Sequence, residues 1–296
     1  MGCSRRSRSR VTPEPSARLE QVLLNGIPDQ QLSPFDRAVH FGDGLFETIA
    51  CRRGRPRFLS LHLERLQFGC TRLSIEPGNL DEVRAEIRAL AREADNAIVK
   101  VILTRGTALA RGYGVTGREK ATRITFRYAW PPETPTESQD GIRVRTATLR
   151  LGENSALAGL KHCNRLEQVL ARREWTDPGI AESLLFSSSG RLVSGTMSNV
   201  FIVEGSRLRT PRLDLCGVAG VMRRVVLREA ERAGISVQED VLRDDDVRKA
   251  DELFLTNARV GVWPLRELDG RTMQPGPVTR QLQQIMAPLL EEPVDA

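Results

Sequence analysis

The chain has 296 residues, with 44 lysines and arginines against 38 aspartates and glutamates and a formal net charge of +6. At that length it can bury one large core or two smaller ones, and its 40% hydrophobic content is that of a globular protein. No apolar run approaches the ~20 residues of a membrane-spanning helix, so no membrane partner is expected.

Residues 1–16 hold four arginines against one glutamate, half of the excess charge. Rich in Arg, Ser and Pro, they are expected to form a disordered basic tail. The first residues lack the apolar centre of a secretory signal, and Arg6 stands where a myristoylation pattern needs Ser or Thr. Beyond the tail, basic and acidic residues alternate. Aromatics are few and no zinc-finger or RNP-like pattern occurs, so a nucleic-acid partner is not expected.

Residues 17–129 read as a small α/β domain. Residues 22–27 predict a strand and turn. Gly42 and Gly44 flank Asp43 in a tight, irregular turn that leads to a strand over 45–51. A turn at 53–56 leads to a short strand over 57–59. A helix is expected over 61–73, with Ser60 as its N-cap and Leu63, Leu66, Phe68, Cys70 and Leu73 supplying its apolar face. His62 and Arg65 lie three apart, near one face of it. A second helix is expected over 80–93, with Val83, Ile87 and Leu90 at helical spacing. A buried strand over 97–106, a glycine-rich loop at 110–114 and a strand over 123–128 complete the domain.

Residues 130–139, with three prolines and no apolar period, read as an interdomain linker. The larger domain, 140–296, opens with a strand over 142–150, and a helix is expected over 163–175. Strands are expected over 182–187, 191–194, 199–204 and 208–211. Gly217 and Gly220 precede a helix ending near Gly234, whose first N–H groups are free to hold an anion. A strand over 236–242, a helix over 244–250, a strand over 252–257 and a helix over 278–290 finish the chain.

Composition draws attention to Lys161. Four lysines stand against forty arginines. Arginine replaces lysine wherever only charge is needed, but a guanidinium cannot act as a nucleophilic amine. Lys161 is therefore a candidate for covalent chemistry, although a surface lysine would look the same in isolation. Cys3, Cys51, Cys70, Cys163 and Cys216 are odd in number, with neither zinc nor thioredoxin spacing. They read as reduced thiols of a cytoplasmic protein, with Cys163 as a packing residue.

Several stretches taken together resemble the fold-type IV pyridoxal phosphate (PLP) enzymes. They are Asp36-Arg37-Ala38 with Phe41-Gly42-Asp43-Gly44, His62-Leu63-Glu64-Arg65-Leu66, Lys161, Ser198-Asn199-Val200-Phe201, Thr210-Pro211, Gly217 to Arg223 and Leu255-Thr256-Asn257-Ala258. Within that family, Gly159-Leu160-Lys161-His162-Cys163-Asn164-Arg165-Leu166-Glu167-Gln168 and Arg111-Gly112-Tyr113 are similar to the aminodeoxychorismate lyases rather than to the aminotransferases.

The resemblance implies a small N-terminal α/β domain, a larger C-terminal domain with a barrel-like sheet, PLP in the cleft between them, and a homodimer. It implies that Lys161 forms the Schiff base with PLP and acts as catalytic base. Arg65, the backbone N–H groups of Val221 and Met222, and Thr256 and Asn257 are implied as phosphate ligands. Ser194 stands where most members carry a glutamate facing the pyridine nitrogen. A serine offers only a neutral hydrogen bond, which disfavours aminotransfer more than elimination. Arg111, Asn164 and Arg165 are implied to bind the substrate, 4-amino-4-deoxychorismate, which would lose pyruvate to give 4-aminobenzoate for folate synthesis. The alternatives are an aminotransferase of the same family acting on branched-chain or D-amino acids and, more remotely, a non-catalytic basic nucleic-acid-binding protein.

Overall fold

A computed structural model describes residues 17–28, 30–108, 111–131 and 135–292. The expected basic tail at 1–16 lies outside the described residues. The chain forms two α/β units, each built on one sheet.

The smaller domain runs β1 (Leu19–Leu24), β2 (Ile27–Pro28), α1 (Arg37–Phe41), β3 (Gly44–Arg52), β4 (Arg55–Pro56), α2 (Leu59–Leu73), α3 (Leu80–Arg92), β5 (Asn96–Thr104) and β6 (Thr122–Ala129). Its sheet is antiparallel throughout, in the order β2-β1-β6-β5-β3-β4. Leu45, Ile49, Val99, Val101 and Leu103 meet Leu63 and Leu66 of α2 and Val83, Ile87 and Leu90 of α3 in one buried cluster. Burying each such side chain stabilises the fold by ~1.5–3 kcal/mol before entropy is counted. α3 begins where Asn79 accepts the N–H of Asp81, with Asp81 and Glu82 in its positive first turn.

α2 starts two residues earlier than expected. Ser60 is not its cap; Phe58, buried and left-handed at φ 50°, precedes it with no side-chain cap. Burial of Phe58 against Leu61 and Met222 sets this start in place of capping chemistry. Phe68 is 51% exposed rather than part of the apolar face. At about 100° per residue it lies on the side of the helix opposite Leu63.

α4 (Pro135–Asp140) occupies the second half of the expected linker and packs on a strand of the larger sheet. That domain continues with β7 (Ile142–Leu151), α5 (Leu166–Arg172), β8 (Ile180–Ser187), β9 (Leu192–Gly195), β10 (Asn199–Glu204) and β11 (Arg207–Pro211). It ends with α6 (Val221–Arg232), β12 (Ser236–Asp240), α7 (Asp244–Lys249), β13 (Glu252–Asn257), β14 (Gly261–Leu268), β15 (Arg271–Thr272) and α8 (Pro277–Glu291). The sheet order is β12-β11-β10-β13-β14-β7-β8-β9, with β15 beside β14. Three of its pairings are parallel and the rest antiparallel. The sheet curls into a half-barrel. Its β9 edge returns to the opposite side, where Leu192 N donates to Leu242 O and Gly195 N to Ser198 O.

The helix expected over 163–175 is the shorter α5. Residues 159–163 are drawn into extended hydrogen bonding with both domains, and that pairing overrides helix formation. The strand expected over 57–59 does not form; β4 lies two residues earlier, and the burial of Phe58 that starts α2 takes its place. α1, β2, α4, β14 and β15 had no predicted counterpart.

Candidate active site

The segment bearing Lys161 is the seam between the domains. On one side Phe46 N donates to Lys161 O and Cys163 N to Gly44 O, both at 2.9 Å. On the other, Gly159 N donates to Gly217 O and Ala219 N to Gly159 O, both at 3.0 Å. Backbone pairing from two sides fixes the lysine between the start of β3 and the turn that precedes α6.

The Lys161 Nζ lies 4.2 Å from the centre of the Phe46 ring. Burial pushes its pKa down to about 7, helped by the charges of Arg65, Arg165 and Lys100 and opposed by Glu47. An amine near neutrality is unprotonated often enough to act as a nucleophile and as a base. Lys100 Nζ lies 5.1 Å from the same Phe46 ring, so β5 adds a second cation to the Lys161 surroundings.

Behind the lysine is a buried charge cluster. Glu47 of β3 accepts His62 Nδ1 at 2.6 Å, Arg65 Nε at 2.8 Å and Arg65 Nη2 at 2.5 Å. Burial alone would raise the Glu47 carboxyl, but Arg65 and His62 bring it down to about 2. Burial lowers His62, so the neutral ring donates from Nδ1, and its Nε2 has no partner among the described residues. The three-residue spacing of His62 and Arg65 on α2 is what lets both reach one carboxylate.

Arg65 also crosses the domain boundary, its Nη1 donating to Ala219 O at 3.0 Å. There α6 begins at Val221, with Gly220 as N-cap. A Cβ on Gly220 would fall 2.0 Å from Asn199 Oδ1, so any larger residue must displace the Asn199 side chain. Asn199 Nδ2 in turn holds Val218 O at 2.9 Å. Thr256 pairs with Asn199 in the sheet, and its buried Oγ1 has no partner among the described residues.

An unsatisfied hydroxyl, the first N–H groups of α6 and the remaining Arg65 donors make a set that fits a phosphate. Asn257 follows Thr256, but its Oδ1 already accepts Arg259 N and Val260 N, each at 3.0 Å. Only its amide nitrogen is left to face an anion. A cleft of about 710 Å³ between α2 and α6 touches Arg65 and Gly220. Lys161 does not line it, so it is not the seat of the chemistry.

Ser194 lies buried in β9, and its Oγ donates to Gly195 O at 2.8 Å. The adjoining turn is organised by buried Glu182, which accepts Thr196 N, Met197 N, Ser198 Oγ and Ser183 N. Arg165 folds back so that Nε donates to His162 O at 2.9 Å, which keeps its charge close to Lys161. Asn164 Nδ2 reaches Gly42 O at 3.3 Å and ties the segment to the glycine turn. Arg111 stands apart, exposed in its loop, with no described contact to this cluster.

Glu47 and Lys100 were legible but missed. Each is a charged residue inside an apolar strand, a pattern that signals a paired or functional side chain.

The amino-transferase class IV family profile matches residues 44–268, and the chain belongs to that family. It is 32% identical over 242 residues to the aminodeoxychorismate lyase of Vibrio harveyi, covering 82% of this chain and 89% of that one. It is 28% identical over 271 residues to a branched-chain-amino-acid aminotransferase of Pseudomonas aeruginosa, covering 87% of each. The crystal structure of 4-amino-4-deoxychorismate lyase from Pseudomonas aeruginosa superposes with a TM-score of 0.87 at 41% identity, over 91% of this chain and 99% of that one.

Proposed function

We propose that this chain is a PLP-dependent aminodeoxychorismate lyase that converts 4-amino-4-deoxychorismate to 4-aminobenzoate and pyruvate, a step of folate biosynthesis. The observation that carries the reading is the Lys161 amine, held near neutrality between the domains with cations close by. Arg165 and Lys100 give its surroundings a positive charge suited to a substrate with two carboxylates. A branched-chain substrate would call for an apolar wall instead. The likeness to two lyases supports the same choice.

PLP supplies an electron sink at the carbon that bears the substrate amine. Arg65, the N–H groups of Val221 and Met222, the Thr256 hydroxyl and the Asn257 amide nitrogen would hold its phosphate. Ser194, whose hydroxyl donates to Gly195 O, would offer the pyridine nitrogen only a neutral acceptor. Lys161, as the free amine, takes the proton from C4. That electron pair closes the C3–C4 double bond, and the C3–O bond breaks. Lys161 then returns the proton to the departing enolpyruvate, which becomes pyruvate, and the ring is left aromatic. Arg165, Asn164 and Arg111 orient the carboxylates.

The protein acts as a homodimer in the cytoplasm. Leu166, Val169 and Leu170 line one face of α5 and are 76%, 52% and 50% exposed, an apolar surface suited to a second copy. Cys51, Cys70, Cys163 and Cys216 are free thiols, as a reducing compartment would keep them. Among the described residues no helix is long and apolar enough to cross a membrane.

The test is a paired assay on the PLP-loaded protein. Release of pyruvate and 4-aminobenzoate from aminodeoxychorismate is expected. Faster amino transfer from branched-chain or D-amino acids to 2-oxoglutarate would replace this reading with the aminotransferase.

A further inference from the structure

Arg37 is buried although it opens a short helix at the edge of the smaller domain. Its guanidinium is aimed at three successive main-chain carbonyls. Nη1 donates to Gly114 O at 3.1 Å and to Gly112 O at 3.4 Å, and Nη2 donates to Tyr113 O at 3.0 Å. Its Nε donates to Asp43 Oδ2 at 2.8 Å. Arg105 grips the same carboxylate with two bonds and anchors itself on Leu73 O and Ser74 O. Arg37 is thus held firmly from behind while its fork faces the loop.

Among the described residues, little else holds that end of the gripped loop. Gly112 has φ +115°, and a Cβ on Gly112 or Gly114 would meet nothing within 4 Å. Tyr113 is 84% exposed, touching the Phe41 ring at 5.1 Å between centres. The far end organises itself, since Glu119 accepts Thr116 N, Thr116 Oγ1 and Gly117 N. A glycine-rich stretch loses much backbone freedom on ordering, so the three carbonyl bonds to one cation decide its shape.

The clamp is also joined to the Lys161 segment. The neighbours of Asp43 supply the contacts: Gly42 O accepts Asn164 Nδ2, and Gly44 O accepts Cys163 N. Loop 112–114, Arg37 and Asp43 are therefore linked by hydrogen bonds, and the backbone at 42–44 carries the link on to Cys163 and Asn164.

We propose that Arg37 is a positioning residue that fixes loop 111–114 to the backbone beside Lys161 and so presents Arg111 to the anionic substrate. The role of Arg111 rests on the lyase reading; the clamp itself does not. Lysine cannot replace Arg37 fully, because an ammonium lacks the planar fork that spans three carbonyls.

The experiment compares the PLP-loaded protein with Arg37→Met and Arg37→Lys. Trypsin cleavage of the native protein after Arg111 is expected to accelerate at least about tenfold in Arg37→Met, with hydrogen exchange in β5 and β6 and the cofactor absorbance unchanged. KM for aminodeoxychorismate is expected to rise about tenfold with kcat within about twofold, and Arg37→Lys should fall between. Arg37→Met with Arg111→Ala should raise KM no more than Arg111→Ala alone. Unchanged cleavage after Arg111, additive KM effects, or loss of protection throughout the sheet would each overturn the proposal. If the parent protein releases no pyruvate, the lyase reading fails while cleavage after Arg111 still decides the clamp.

Discussion

Glu47 and Lys161 are buried ionisable groups whose surroundings pull them in the same direction for different reasons. Arg65 and His62 hold Glu47 ionised down to about 2. A depressed acid contributes stability that is complete above its unfolded pKa and lost as pH falls through its folded value. Glu47 should therefore support the fold above about pH 4.5 and lose that effect toward about pH 2. Glu47→Gln leaves the Arg65 charge without its counterion and is expected to destabilise the protein by ~3 kcal/mol, read from the denaturant midpoint at pH 7. Lys161 has the opposite charge type. Its amine loses its proton from about pH 7 upward, so PLP uptake by the cofactor-free protein should speed up to that pH and then level off. An ordinary lysine would keep gaining toward pH ~10.4. At Ser194 the expected effect is on reaction choice. Ser194→Glu should raise amino transfer while leaving pyruvate release little changed; a gain confined to pyruvate release would contradict the role given to serine.

At the scale of elements, the start of α6 is where packing and chemistry constrain one residue together. Gly220→Ala drives a methyl group into Asn199 and must loosen either the Val218 contact or the helix start. Losing one such hydrogen bond should weaken PLP binding about tenfold, measurable by titration of cofactor absorbance. Most of the strands and the cores of α2 and α3 follow from apolar spacing that can be counted along the sequence. Helix starts do not. α2 begins where Phe58 is buried, and α5 waits until Leu166 because residues 159–163 are paired to two other segments. α1 has only five residues and no apolar period, so nothing local announced it.

At the scale of the molecule, the apolar face of α5 directly follows the Lys161 segment, so the proposed dimer contact would lie close to Lys161. Leu166→Glu with Val169→Glu puts charge on that face and should shift the protein from dimer to monomer in sedimentation, with loss of activity at low protein concentration.

The amino-acid sequence by itself determined the class of the fold and, through its resemblance to the fold-type IV enzymes, singled out Lys161 and Arg65 as candidates. Those depend on local periodicity, on a rare residue type and on short ordered motifs, all carried along the chain. Only the tertiary structure decided that Glu47 unites His62 with Arg65, that Lys100 shares the Phe46 ring with Lys161, and that Arg37 holds loop 111–114. The partners in these contacts are 15 to 77 residues apart, or converge from separate elements on a third side chain. Such meetings depend on how β3, β5, α2 and the interdomain seam come together. Burial then gives them force, because a charge removed from water must find its partner nearby.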